Sequence, residues 1–236
     1  MNRRRIPLFP LPGVVLLPGT LLPLHIFEPR YRAMVADALA GDRTIGMAMM
    51  KPGWERAGSV PAIFPVGGAG RIVDSEMLPD GRYDIVLEAE FRYRVIDESP
   101  PAPYRVARVE EIDSVPFLNE REARRACEEA VTLFGGLAAA MSLPPLPDLP
   151  LSPEYLGSEI AVRLRYEPTE LQALLETDSV PARLETLMGR MREWEGRIRF
   201  LSAYRRREMD PSRNGPAQRV IPSPSQCHPE PFAMSS

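Results

Sequence analysis

A charge-free apolar run at the beginning of the chain constrains the fold more than any other feature. Residues 6–27 contain no Asp, Glu, Lys or Arg and follow arginines at positions 3–5, as in a signal peptide or a membrane helix. The run also contains the prolines Pro7, Pro10, Pro12, Pro18 and Pro23. Each proline would cost about 3 kcal/mol inside a helix because it removes a hydrogen bond. The run therefore predicts short, buried strands and no membrane segment.

Strand signals continue through the first half of the chain as short apolar runs separated by turn residues. The predicted strand cores are residues 6–9, 14–17, 21–27, 44–50, 62–66 and 85–87. A Pro-Asp-Gly turn predicts a hairpin between residues 70–77 and 83–96. One helix interrupts the strands and is predicted to begin at Pro29 and to end before Gly41. These signals together predict a β-rich subdomain spanning residues 1–112.

After the strands, the apolar period lengthens to between three and four residues, which predicts helices. Asn119 and Glu122 have the spacing of a capping box at the start of the first of these helices. Two shorter helices are predicted to open at Pro153 and Pro168, and a second long helix to span about residues 181–207. The two long helices can bury each other's apolar stripes, so an intramolecular bundle is favoured over a coiled-coil dimer.

The second half of the chain thus divides into a helical part and a polar, proline-rich part. Residues 113–208 are predicted to form an α-helical bundle subdomain. Residues 209–236 contain many prolines and no apolar period, which predicts a disordered tail. The predicted fold class is therefore α+β, with the strands and the bundle segregated along the chain.

Charge and cysteine content limit the classes of function. The 236 residues carry 29 basic and 32 acidic side chains, so no strong field would attract nucleic acid or an anionic membrane. Cys127 and Cys227 are far apart and form neither a disulfide framework nor a metal-binding pattern. We therefore expect a cytoplasmic setting, with no metal site and with neither nucleic acid nor a membrane as partner.

No motif nominates a catalytic residue or a cofactor. The glycine-rich residues 66–70 lack the lysine of a phosphate-binding loop, and Lys51 is the only lysine of the chain. His25 is the only histidine outside the tail, and no nucleophile motif accompanies it, so a hydrogen-bonded structural histidine is favoured over a general base. Arg92 and Arg94 alternate on a predicted strand, which indicates a solvated or salt-bridged face. We therefore predict that the chain is not an enzyme.

The apolar run and the turns that follow it also form motifs that can be compared with known families. The motifs are residues 6–11, 14–19, 22–32, 66–67, 70–72, 78–81, 92–95, 103–104, 109–110, 174–178 and 183–184. With these motifs the chain resembles the N-terminal domain family of Lon proteases over about residues 5–207. The resemblance implies a PUA-like, β-rich pseudo-barrel followed by an α-helical bundle. It also implies capture of unfolded or tagged proteins, and it brings no catalytic residue.

The predicted function is that of a non-enzymatic module that binds unfolded or hydrophobic polypeptide. A protease or a chaperone is a further candidate partner, because either could receive the bound chain. RNA binding, as in other PUA-like folds, and small-molecule catalysis remain the alternatives. The candidate binding residues lie where the strand before residue 28 turns into the next helix: His25, Phe27, Glu28, Arg30 and Tyr31. The competing interpretation is that these residues only fix the junction between the strand and the helix.

Overall fold

The computed structural model of the protein describes residues 2–56, 60–100, 103–147 and 152–208, with side chains to residue 204. The predicted disordered tail, residues 209–236, lies outside the described residues. The strands are β1 (Arg3–Leu11), β2 (Leu21–Ile26), β3 (Thr44–Met49), β4 (Val66–Met77), β5 (Tyr83–Ser99) and β6 (Arg105–Ile112). The α-helices are α1 (Pro29–Ala40), α2 (Glu120–Met141), α3 (Pro153–Arg163), α4 (Pro168–Glu176) and α5 (Val180–Glu208).

The strands form one mixed sheet in the order β2-β5-β4-β3-β1-β6. β5 pairs with β6 as well as with β4, so β5, β4, β3, β1 and β6 close on themselves. β2 stands outside this closed ring and, within the described residues, pairs with β5 alone. Strands followed by helices confirm the α+β class, whereas the PUA-like class stays an implication of the family resemblance. The division into subdomains after residue 112 likewise stays a prediction.

The apolar core lies on both sides of this sheet. α1 packs on one side through Tyr31, Met34 and Val35, which are buried together with Phe9 and Ile26. A second cluster joins side chains of β1, β4, β5 and β6, namely Ile6, Leu8, Ala69, Tyr93, Ala107 and Val109. Residues 6–27 thus contribute buried strands to the core, as the prolines predict.

The hairpin and the helix starts agree with the sequence. In the turn between β4 and β5, Leu78 N–H donates to the carbonyl oxygen of Arg82 at 2.8 Å, and Gly81 has a φ of +79°. This left-handed conformation explains the glycine of the Pro-Asp-Gly turn. Asn119 caps α2 because its Oδ1 accepts a hydrogen bond of 2.9 Å from Glu122 N–H. The predicted hairpin and cap are therefore confirmed.

Two predicted strands are wrong. Residues 14–17 form no strand, although Leu16 and Leu17 are buried. Leu16 instead packs against β4, where a Cβ atom on Gly68 would lie 1.9 Å from the carbonyl oxygen of Leu16. Within residues 62–66, Ile63 forms an isolated bridge with Met50, and Val66 is the first residue of β4. The first run reflects burial of a connecting segment, whereas residues 62–65 are exposed or only partly buried and lead into β4.

The apolar stripe of α5 is buried only along its first half. Leu184, Leu187 and Met191 are buried, whereas Phe200 and Leu201 are exposed. Among the described residues, contacts group the chain up to Glu195 into one compact unit and the rest of α5, from Gly196, into a second. Within the described ranges, no helix has the length and apolar character needed to cross a membrane.

Candidate functional site

His25 is fixed at the surface of the sheet by two polar contacts. Its Nδ1 lies 2.6 Å from Asp84 Oδ1, and its Nε2 lies 3.1 Å from Arg82 Nη1. The register explains the first contact, because His25 of β2 stands opposite Asp84 of β5. Its ring also stacks near that of Phe27, with 6.4 Å between the ring centroids. The predicted hydrogen-bonded histidine is thus present, but its partners belong to the β4–β5 hairpin rather than to α1.

The next residues place an aromatic ring and an ion pair at the start of α1. The Phe27 side chain has no ring partner in the core and is 62% exposed. Arg30 Nη2 lies 2.8 Å from Glu28 Oε2, and the Arg30 guanidinium stands 4.5 Å above the centre of the Tyr31 ring. Because Glu28 and Arg30 are both partly exposed, their ion pair leaves polar atoms open to a partner.

Tyr31 differs from the other candidates because it belongs to the core. It is only 4% exposed, and its ring centroid lies 4.4 Å from that of Phe9 on β1. Burial raises the pKa of its hydroxyl, and the neighbouring Arg30 partly opposes that shift. The structure therefore brings His25 together with Phe27, and Glu28 together with Arg30, at the surface, while Tyr31 supports them from below.

An acidic surface adjoins this site on the outer face of β2, β5 and β4. A groove of about 380 Å³ runs between Pro23 and His25 of β2 and the carboxylates of the two neighbouring strands. These carboxylates are Asp74, Glu76 and Asp84. In the described part of the chain, no three His, Cys, Asp or Glu side chains are placed to hold a metal ion. The acidic face was not predicted, although the alternation of Asp74 with Glu76 and of Asp84 with Glu88 along the arms of the hairpin could have indicated it.

The helical half contains a larger and more apolar groove, which the sequence did not indicate. It encloses about 930 Å³ between α2 and the proline-rich residues 142–147. Its α2 side is lined by Cys127, Val131, Phe134, Gly135, Ala138 and Ala139. Burial raises the pKa of the Cys127 thiol, with Glu128 adding to the shift, which disfavours a reactive thiolate. Sequence analysis missed this groove because the segment 142–147 has no regular secondary structure.

Of the predicted solvated or salt-bridged face, the salt bridge is present at Arg92, but solvation is wrong for that residue. Arg92 is 1% exposed, and its Nη1 donates to the carbonyl oxygen of Leu175 at 2.9 Å and to Asp178 Oδ1 at 3.0 Å. Its Nη2 donates to the carbonyl oxygen of Asp113 at 3.2 Å. Burial lowers the pKa of Arg92, the neighbouring Arg183 adds to the shift, and Asp178 opposes it. Arg94, on the same face of β5, lies at the surface, so alternation along β5 did not reveal that the end of α4 and the following residues cover this face at Arg92 alone of the two arginines.

The arrangement of a closed sheet, an edge strand and a helical second half is the fold of Lon N-terminal domains. An N-terminal domain of a Lon protease from Mycobacterium avium complex aligns with a TM-score of 0.60 at 18% identity, covering 80% of this chain and 98% of that chain. A Lon N-terminal domain protein from Xanthomonas campestris aligns with a TM-score of 0.58 at 26% identity, covering 79% of this chain and 98% of that chain.

Sequence comparison identifies the family itself. The family model of the ATP-dependent protease La (LON) substrate-binding domain matches residues 5–193, and the chain belongs to this family. Lon protease 2 of Myxococcus xanthus is 27% identical over 198 residues, which is 80% of this chain and 24% of that relative. Lon protease of Escherichia coli K12 is 28% identical over 210 residues, which is 87% of this chain and 26% of that relative. The chain thus spans about a quarter of the length of these relatives.

Proposed function

We propose that the protein is a non-enzymatic, cytoplasmic module that binds unfolded or hydrophobic polypeptide. The observation that carries this proposal is the pair of large apolar side chains left exposed at the two ends of β2. Leu21 and Phe27 are each 62% exposed, although both adjoin a well-packed sheet. An exposed aromatic side chain beside polar groups is typical of a binding surface. Membership in a substrate-binding family supports the same function.

The proposed binding surface consists of Leu21, His25, Phe27, Glu28 and Arg30, and we call it the β2 surface. Phe27 would bury its ring against an apolar segment of the bound chain. Glu28 and Arg30 can each offer atoms that their mutual ion pair leaves unsatisfied. Tyr31 would hold the surface in place from the core rather than contact the polypeptide. A protease or a chaperone that receives the bound chain is part of the proposal.

The experiment measures binding of fluorescently labelled, chemically denatured casein by anisotropy. Phe27→Ala should weaken binding at least about fivefold, because a central aromatic anchor contributes 1 kcal/mol or more. The melting temperature should change by less than about 2 °C, because the removed ring is exposed. Val162→Ala, which removes methyl groups from an exposed valine on α3, is the matched control and should leave both quantities unchanged.

The apolar groove beside α2 is the competing location for the same function. Val131 lines it and is 45% exposed. If Val131→Asp abolishes binding of denatured casein while Phe27→Ala has no effect, the polypeptide binds in that groove and the β2 surface is wrong. RNA binding is tested with the same protein: the carboxylates Asp74, Glu76 and Asp84 would repel phosphates, so we expect no salt-dependent retention of RNA.

A further inference from the structure

The free edge of β2 offers a more specific mode of recognition than side-chain contacts alone. β2 comprises six residues, Leu21–Ile26, and pairs only with β5 within the described ranges. We propose that an extended segment of another polypeptide joins the sheet as an additional strand along this edge, with basic side chains toward the outer face and apolar side chains toward the core face. This inference rests on the proposed function and specifies how the polypeptide is held.

The direction of the backbone groups along β2 follows from two independent observations. Ala89 N–H donates to the carbonyl oxygen of Thr20 at 3.0 Å, so Thr20 faces β5. Because the facing direction alternates along an antiparallel strand, Leu21, Pro23 and His25 face away from β5. Pro23 has no N–H to donate and therefore fits an outward-facing position, which costs the ladder no hydrogen bond. Leu21 and His25 each present a free donor and acceptor at the edge, and Pro23 presents an acceptor.

Pro23 also limits uncontrolled pairing along this edge. An unprotected apolar edge strand pairs readily with a second copy, and proline is a common means of preventing this. Pro23 sits in the middle of β2 and removes one donor from the edge, so that pairing there is weakened but not blocked. Reversible pairing of this kind suits capture and release of a passing polypeptide.

The two faces of β2 determine which side chains the added strand should carry. On the core face, Leu22 and Leu24 are only half-buried and can pack against apolar neighbours. On the outer face, cross-strand pairing from β2 through β5 to β4 aligns Pro23 with Asp74. It aligns His25 with Asp84 and then with Glu76. An added strand would lie about 10 Å from β5, within reach of an arginine side chain. A strand that alternates arginine and valine therefore matches the charge of one face and the apolar character of the other.

The experiment uses a fluorescein-labelled peptide of about eight residues that alternates arginine and valine, with an alternating glutamate and valine peptide as the charge control. The arginine peptide should bind the full chain at least about tenfold more tightly than the glutamate peptide. Pro23→Val restores an outward-facing donor and should tighten binding about fivefold, as expected for one additional hydrogen bond. Leu21→Pro removes an outward-facing donor and should weaken binding by a similar factor, whereas Leu21→Ala keeps that donor and controls for the lost side chain.

N-methylation of the peptide tests strand addition without changing the protein. In an antiparallel addition, the arginine residues share the outer face with His25 and direct their N–H groups toward β2. Methylating the arginine amides should then abolish binding, while methylating the valine amides should be tolerated. In a parallel addition the valine N–H groups face β2 instead, so methylating the valine amides should abolish binding and methylating the arginine amides should be tolerated. This result would also support the added strand. Equal effects of both methylation patterns, or no change in binding with Pro23→Val, would overturn it.

Two further outcomes separate this inference from its rivals. If denatured casein binds in a Phe27-dependent manner but the arginine peptide does not bind, the added strand is wrong and the proposed function stands. If neither ligand binds, both are wrong. The edge could also be occupied by a second copy of the chain, and sedimentation of the unliganded protein tests this. A dimer that Leu21→Pro dissociates and Leu21→Ala preserves would assign the edge to that second copy and overturn the inference.

Discussion

Arg92 and Arg30 mark two regions of the same protein that treat their polar groups in opposite ways. Around Arg92, the guanidinium is buried between β5 and the segment that connects α4 to α5, and it donates to carbonyl oxygens as well as to Asp178. Around Arg30, the guanidinium is about half exposed, pairs with Glu28 and lies over the ring of Tyr31. The first region uses its polar groups to join parts of the fold, while the second leaves them available to a partner.

The same contrast holds for the backbone. At the Arg92 end the strands pair on both sides, because β5 hydrogen-bonds to β4 and to β6. At the other end β2 has one partner only among the described strands. A buried polar group without a partner costs free energy, and both terminal nitrogens of Arg92 have hydrogen-bond partners, although Arg92 Nε has none among the described residues. The open region can leave groups unpaired because water solvates them, and a ligand can later replace that water.

Substitution of Arg92 should have the largest effect on stability. Arg92→Met keeps much of the volume but leaves the carbonyl oxygens of Leu175 and Asp113 without their donor. Each buried carbonyl oxygen left without its donor costs about 1–3 kcal/mol, so losing the donor to Leu175, Thr177 and Asp113 should cost about 3–5 kcal/mol in total. Urea denaturation measures this change. Arg94→Met, two residues along β5 and exposed, is the control and should change the free energy of unfolding by less than about 0.5 kcal/mol.

If Arg92→Met and Arg94→Met both change the free energy of unfolding by the same small amount, the two regions do not differ as proposed. In that case the Arg92 hydrogen bonds would contribute no more than exposed ones do. The substitution should leave the β2 surface intact, because Arg92 has no contact with β2. Binding of denatured casein by the fraction of Arg92→Met that remains folded should therefore match that of the unchanged protein.

Tyr31→Ala should cause the next largest loss of stability, which would show that Tyr31 supports the fold rather than contacts the ligand. Its ring is buried against Phe9, so its removal leaves a cavity in the core beside α1. Truncation of a buried aromatic side chain costs about 3 kcal/mol or more. Thermal and urea denaturation measure the loss. If stability is unchanged but casein binding is lost, Tyr31 contacts the ligand directly, and the boundary drawn here between core and surface is wrong.

Much of this architecture was accessible from the sequence, but the distinction between the two regions was not. The glycine of the hairpin turn and the cap at Asn119 act locally, so their spacing alone predicted them. The burial of Arg92 depends on Leu175, Thr177 and Asp178, which lie between 83 and 86 positions further along the chain. No local pattern encodes such a contact. The candidate site also grouped Tyr31 with Arg30, although Tyr31 shares a helical spacing with the buried Met34 and Val35, and adjacent helix residues face different directions.

Tyr104 offers a smaller effect that depends on pH. Its hydroxyl donates a hydrogen bond of 2.6 Å to Asp37 Oδ2, and burial and this carboxylate raise its pKa to about 12. An unfolded chain loses the tyrosine proton near pH 10. The contribution of Tyr104 to stability is therefore fully present below about pH 10 and is lost as the pH rises toward 12. Urea denaturation at several pH values measures this decline.

Tyr104→Phe separates this group from other tyrosines. The substitution removes the hydrogen bond and should cost about 1 kcal/mol at neutral pH. Burial also raises the pKa of Tyr93 and Tyr166, so part of the alkaline decline should persist in the variant. An unchanged decline would show that Tyr104 titrates in the folded protein as it does in the unfolded chain, and that the Asp37 contact is not maintained in solution.

Arg30→Ala should have the smallest effect on stability and the clearest effect on binding. Its ion pair with Glu28 is exposed, and its half-exposed guanidinium covers the buried Tyr31 ring; interactions of these kinds contribute about 1 kcal/mol or less. Binding of denatured casein should nevertheless weaken several-fold, because Arg30 supplies guanidinium donors that can hydrogen-bond to carbonyl oxygens of the bound polypeptide. Arg108→Ala is a matched control: it breaks a similarly exposed ion pair, with Asp97, at the far side of the sheet.

If both substitutions leave binding unchanged while Phe27→Ala weakens it, the surface recognises apolar side chains alone, and Arg30 serves only to cover Tyr31. If Arg30→Ala instead destabilises the protein as strongly as Tyr31→Ala, the junction is a single structural unit, and the open region begins at β2 rather than at α1.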